Sequence, residues 1–154
     1  MTATIIEQQV RLPYAPADLC KLVGDVRSYP RFIPWLRGIR VLEEKPRGQG
    51  WEGVAEAAVG WRGLSEKFST KVMCAPETGD LEVSLVRGPF KVLSNRWRFD
   101  ADKDGGALVR FWIAYEFKNP FLQTIAAANR DYAAKRILEA FTGEAHRRLG
   151  AKSA

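Results

Sequence analysis

Between Trp51 and Phe117 the chain alternates apolar and polar residues with a period of two, the mark of half-buried strands. From Trp51 to Trp61 the odd positions form a row of mostly small residues, Gly53, Ala55, Ala57 and Val59 between the two indoles. In 64–74 the even positions Leu64, Glu66, Phe68, Thr70, Val72 and Cys74 share a side, opposite Ser65, Lys67, Ser69 and Lys71. Leu81, Val83 and Leu85 point together, with Arg87 ending their row. Leu93, Asn95, Trp97 and Phe99 form the next, and Val109, Phe111, Ile113, Tyr115 and Phe117 an almost fully apolar last one. Pro76-Glu77-Thr78-Gly79 and Asp104-Gly105-Gly106 read as connecting turns. These faces rest on side-chain period alone, so a bulge inverts whatever part of a row follows it.

Upstream, Thr4–Leu12 alternates as another strand, and Pro13 ends it. Pro16 suits the first turn of a short helix over 17–23, and a second short helical piece follows at 27–32. Ile39–Glu44 resumes strand character before a turn at 46–50. Downstream, Asn119-Pro120 supplies a cap and a first-turn proline for one helix predicted from Pro120 to Leu149. Its apolar positions, among them Leu122, Ile125, Ala126, Tyr132, Ile137, Leu138, Phe141 and Ala145, recur at helical spacing. This order gives an α+β chain, one domain over residues 1–154. A sheet curling around a terminal helix, with small residues on one wall and aromatics on the others, predicts an unfilled apolar hollow.

The 46% hydrophobic and 27% charged content is ordinary for a soluble globular protein. No apolar stretch approaches the ~20 residues that span a bilayer. The N-terminus has no secretory pattern, and the expected location is cytoplasmic, with peripheral contact to the inner membrane. Cys20 and Cys74 read as small buried hydrophobes, with a disulfide as the lesser alternative. Net charge is +6, with basic excess between Arg27 and Arg47 and again near Lys135, Arg136, Arg147 and Arg148. That excess fits a solvated surface, an anionic membrane face or RNA, and charge alone does not separate them.

The search for catalytic chemistry returns absences. One histidine, His146, falls on a charged turn of the closing helix and reads as exposed surface, so neither a multi-histidine metal site nor a His-based triad is expected. No glycine-rich phosphate loop occurs, and no proton-transfer pair is visible. Three polar residues on apolar faces need an account: Glu66, Asn95 and Arg87. Glu66 either reaches solvent at a cavity mouth, pairs with Arg87 across the sheet, or meets the polar head of a greasy ligand, unless its register is off by one. Tyr115 and Asn129 suit that last role too. Trp35 and Phe90 sit in the predicted loops Ile33-Pro34-Trp35 and Gly88-Pro89-Phe90, as rim residues or a membrane-touching tip.

Several stretches in order carry a resemblance: 26–35 with Tyr29-Pro30-Arg31-Phe32-Ile33-Pro34-Trp35, then Arg87-Gly88-Pro89-Phe90-Lys91, 95–99 and Phe117-Lys118-Asn119-Pro120-Phe121. Together they resemble the coenzyme Q-binding protein family of the polyketide cyclase/START-like superfamily, over roughly Thr4 to Leu149. Leu36, after Pro-Trp, departs from the small residue expected there. The resemblance implies a helix-grip fold, with a seven-stranded antiparallel sheet around the C-terminal helix and two short helices after strand one. It implies non-enzymatic binding of ubiquinone or a related isoprenoid lipid in support of respiration, with no resident cofactor. Bacterial relatives are also described as toxins that bind the large ribosomal subunit and block subunit joining. The tail would lie against Leu64, Phe68, Leu85, Leu93, Trp97, Phe111 and Ile113, with Phe32 and Phe99 completing the lining and Ile125 and Tyr132 as lid. Expected partners are therefore a quinone-like lipid, an anionic membrane face or the large ribosomal subunit, and not DNA.

Overall fold

The computed structural model describes residues 3–61 and 64–150, with Trp61 and Leu64 as backbone only. Seven strands form one antiparallel sheet in the order β1-β7-β6-β5-β4-β3-β2. β1 (Thr4–Leu12) leads through α1 (Pro16–Gly24) and a short 3₁₀ turn (Val26–Arg31) to β2 (Leu36–Arg47). The strands β3 (Gly50–Trp61), β4 (Leu64–Ala75), β5 (Asp80–Arg87), β6 (Phe90–Ala101) and β7 (Ala107–Phe117) then follow as a meander. β1 and β2 are the two edges, and Pro46 in β2 is tolerated because an edge strand has amides to spare.

The alternation predicted the faces well. Trp51, Gly53, Ala55 and Ala57 stand opposite Cys74, Val72, Thr70 and Phe68, so the small-residue wall of β3 meets the apolar row of β4. Leu81, Trp97 and Phe111 form one cross-sheet row, and Val83, Asn95 and Ile113 the next. Two bulges break the pattern. On β5, Thr70 faces Leu85 but Ser69 faces Arg87, so one step on β4 spans two on β5. Arg87 thereby joins the side of Ser69 and is exposed rather than ending the inner row. On β6, Phe90 faces Phe117 while Val92 faces Glu116, which turns Phe90 inward. Phe90 is thus the buried first residue of a strand, not a loop-tip aromatic. Gly88 is required beside it, because a Cβ there would fall 2.5 Å from the Cβ of Phe68.

The single closing helix of the sequence reading is two: α2 (Pro120–Ala128) and α3 (Arg130–Ala145), followed by a π-helical turn over His146–Gly150. They meet at Asn129, whose φ of −108° and ψ of 17° leave the α region. The Asn119 cap holds as expected, its side chain accepting from the amides of Phe121 and Leu122. Three residues before the bend, the carbonyl of Ala126 accepts the Tyr115 phenol at 3.1 Å. A donor from outside the helix, inserted at its carbonyl ladder, is a recognised cause of bending.

α1 covers one end of the concave sheet face, where Leu19, Leu22 and Val23 are buried with Trp97, Phe99, Val109 and Phe111. Cys20 and Cys74 are both buried there as free thiols, their sulfurs 4.0 Å apart. α2 lies over the other end. Its one buried side chain, Gln123, donates to Thr4 Oγ1 at 3.0 Å and accepts from the Phe117 amide at 2.9 Å, tying the helix to β1 and β7.

Candidate functional site: a half-covered apolar trough

The predicted hollow is filled at the α1 end. The void bounded by Val10, Leu22, Trp97, Phe99, Leu138 and Phe141 measures about 10 Å³, room for about one water at most. Large aromatics account for this. Phe141 on α3 drops among Tyr29, Phe32 and Trp97 with ring centroids 5.2, 5.4 and 4.9 Å away, and Trp97 packs Phe111 at 4.7 Å. Trp97, Phe99 and Phe111 are therefore packed core, and Phe32 belongs to this aromatic cluster.

The α2 end differs. Phe68, Leu85, Leu93 and Ile113 all belong to inner rows yet stay half-buried, and Ile125 on α2 is half-buried too. These apolar side chains on the concave face are only partly covered, which marks this end as the candidate trough. Its outer stop is the cluster Phe68, Phe90 and Phe117, with centroids 5.4 and 4.6 Å apart along the chain of contacts. Leu64, another expected lining residue, lies outside the described side chains.

Most polar candidates are occupied within the protein. Asn95 donates to the Trp112 carbonyl at 2.9 Å and accepts from the Trp97 indole at 3.1 Å. Tyr115 holds Ala126, and burial pushes its phenol above its ordinary value. Asn129 is exposed and donates back to the Ile125 carbonyl at 2.8 Å. The lid assignment of Tyr132 does not hold, for it is 62% exposed. The inward stripe of α3 runs through Ala134, Leu138, Phe141 and Ala145, and a residue two positions before Ala134 lies about 200° around the helix. No ion pair joins Glu66 to Arg87, since the bulge sends the arginine outward. Glu66 remains, half-buried on the inner row between Leu64 and Phe68. Trp35 is half-buried in its turn and gives its carbonyl to the Gly60 amide.

Two features escaped the sequence reading. Glu144 is a buried carboxylate gripping Arg147 at 2.6 Å and also Arg148, which in turn reaches Asp25 at 3.1 Å and Ser28 at 2.6 Å. The i+3 and i+4 spacing of those arginines was the available signal. His146, exposed as expected, has its Nδ1 2.6 Å from the Tyr14 hydroxyl. Among the described residues no cluster of three metal-ligating side chains forms, and no helix is long and apolar enough to cross a membrane.

Residues 12–142 match the family model described as polyketide cyclase / dehydrase and lipid transport. The ribosome association toxin RatA of Pseudomonas aeruginosa is 29% identical over 148 residues, covering 96% of this chain and 99% of the relative. The mitochondrial coenzyme Q-binding protein coq10 of Schizosaccharomyces pombe is 27% identical over 135 residues, 87% of this chain and 82% of that one. The solution structure of the 18 kDa protein CC1736 from Caulobacter crescentus superposes with a TM-score of 0.78 at 39% identity, covering 96% of this chain and 99% of that one. The Zhui aromatase/cyclase of Streptomyces shares the fold at a TM-score of 0.79 and 16% identity, over 96% of both chains.

Proposed function

This chain belongs to the polyketide cyclase / dehydrase and lipid transport family, and we propose that it binds ubiquinone or a related isoprenoid lipid without transforming it. The supporting observation is the α2 end of the trough, where Phe68, Leu85, Leu93 and Ile113 line a concave wall and remain half-exposed beneath a helix bent at Asn129. An isoprenoid tail offers a long apolar surface and no hydrogen-bonding groups, which matches a wall whose polar side chains are mostly satisfied internally. Covering about 300 Å² of tail contributes about 7 kcal/mol before the costs of ordering. Glu66 stands where a polar head would emerge. The packed α1 end gives the tail no room, so entry requires α2 to swing out and the bend at Asn129 to act as its joint. The coenzyme Q-binding relative supports the ligand class.

Phe68→Ala should weaken quinone binding about tenfold or more, because the ring is part of the wall and only half-buried in the protein itself. Titration of tryptophan fluorescence with a short-chain ubiquinone measures this, alongside organic extraction of purified protein. A quinone-free extract together with unquenched fluorescence would falsify the carrier reading.

A second reading, association with the large ribosomal subunit, is favoured by the near-complete match to the toxin of P. aeruginosa. Its electrostatic footing is narrower than the sequence count suggests. Arg27, Arg40 and Lys45 pair with Glu44, Glu56 and Glu52 at 3.0, 3.9 and 3.2 Å, leaving Arg31, Arg37 and Arg47 exposed without an ion pair among the described residues. On this reading, co-sedimentation with purified large subunits falls steeply between about 50 and 200 mM salt. Failure to pellet at low salt would rule it out.

A further inference from the structure

We infer that the β5–β6 hairpin tip and the start of α2 form one docking surface for an anionic phospholipid bilayer. The two segments are joined by the Lys118 amide, which donates to the Pro89 carbonyl at 2.8 Å. Three large apolar side chains on these segments face solvent: Phe121 at 70%, Val86 at 56% and Val92 at 37% exposure. Phe121 is the most exposed of the large apolar residues among those described, and it heads a helix whose cap fixes its place. Nothing in the packing of the protein calls for it there.

The exposed charges on these two segments are of one sign. Arg87 and Lys118 are exposed and have no ion-pair partner among the described residues, while Lys91 meets the buried Glu116 at 3.8 Å. A protruding aromatic flanked by cations is complementary to a surface with an apolar interior and anionic headgroups. Each such cation is attracted to an anionic leaflet, and an inserted phenyl adds its own transfer energy. RNA complements the cations but leaves the phenyl and the valines unexplained, so the bilayer is the better occupant. The surface also adjoins the half-covered end of the trough, which makes it the side from which a lipid would enter. That purpose rests on the proposed function, whereas the docking itself does not.

The test is flotation of the purified protein with quinone-free vesicles of phosphatidylcholine alone or with about one third phosphatidylglycerol. We expect binding to the anionic vesicles, weakened at least tenfold by Phe121→Asp and about fivefold by Lys118→Gln. Leu42→Asp, another exposed apolar residue but on the far edge strand β2, should leave binding unchanged. Far-ultraviolet circular dichroism establishes that each variant is folded. Absence of flotation, or equal flotation of the wild type and folded Phe121→Asp protein, overturns the inference. Because the vesicles carry no quinone, the result stands apart from the outcome of the quinone titration.

Discussion

Trp97→Ala is expected to cost about 3–5 kcal/mol of folding stability, the range for truncating a large buried aromatic. The indole is 4% exposed and lies between Phe99, Phe111 and Phe141 at centroid distances of 6.1, 4.7 and 4.9 Å. Its N–H also holds Asn95, so truncation leaves the amide oxygen of that half-buried residue without its donor. The neighbouring void of about 10 Å³ shows how little slack surrounds the ring. Urea unfolding followed by circular dichroism measures the loss. Phe68→Ala, at the half-covered end, should lose clearly less stability while losing more quinone binding. Equal stability losses at the two positions would contradict the division of the interior into a packed end and a loosely covered end.

Glu144→Gln is expected to destabilise the protein by about 1–3 kcal/mol at pH 7, and the difference from wild type should disappear in acid. Burial of Glu144 opposes its ionisation, but hydrogen bonds from Arg147 and Arg148 outweigh burial and hold the carboxyl below its ordinary value near 4.5. A carboxylate whose folded value is depressed adds stability above the unfolded value and loses it as pH falls through the folded one. The contribution is therefore complete at neutral pH and drains away below about pH 4.5. Arg147 remains largely in water and its share is screened, which limits the effect to the upper figure. Urea midpoints from pH 3 to 7 for both proteins test this. A gap of constant size across that range would show that Glu144 acts through shape alone.

The strands and their inner faces were legible because a sheet enforces a period of two, so that Gly53, Ala55 and Ala57 could be set against the apolar row of β4 from spacing alone. What spacing cannot carry is an insertion in one strand of a pair. The bulges that turned Arg87 outward and Phe90 inward are each a one-residue slip, enough to invert the side-chain direction that follows. Filling of the interior was equally hidden. Whether Trp97, Phe111 and Phe141 interlock or leave a hollow depends on rotamers and on the depth at which α3 sits, neither of which is written in hydrophobic periodicity. The bend at Asn129 has two hydrogen bonds beside it, the Tyr115 phenol on the Ala126 carbonyl and the Asn129 amide on the Ile125 carbonyl, and the first comes from a distant strand that helical periodicity does not register. Glu144, by contrast, left a readable trace in the two arginines that follow it.

The two polar ties that hold α2 down also set a threshold for whatever lifts it. Moving that helix off the sheet breaks the Tyr115–Ala126 bond and both bonds of Gln123, whose side chain is almost wholly buried. Unless water replaces them at once, each costs on the order of 1 kcal/mol or more. At about 25 cal/mol per Å², roughly 120 Å² of apolar guest surface offsets three such bonds, and every added isoprene unit widens the margin. On the proposed lipid-binding reading, the latches thus favour guests by the apolar area they cover, independently of any group that recognises their heads.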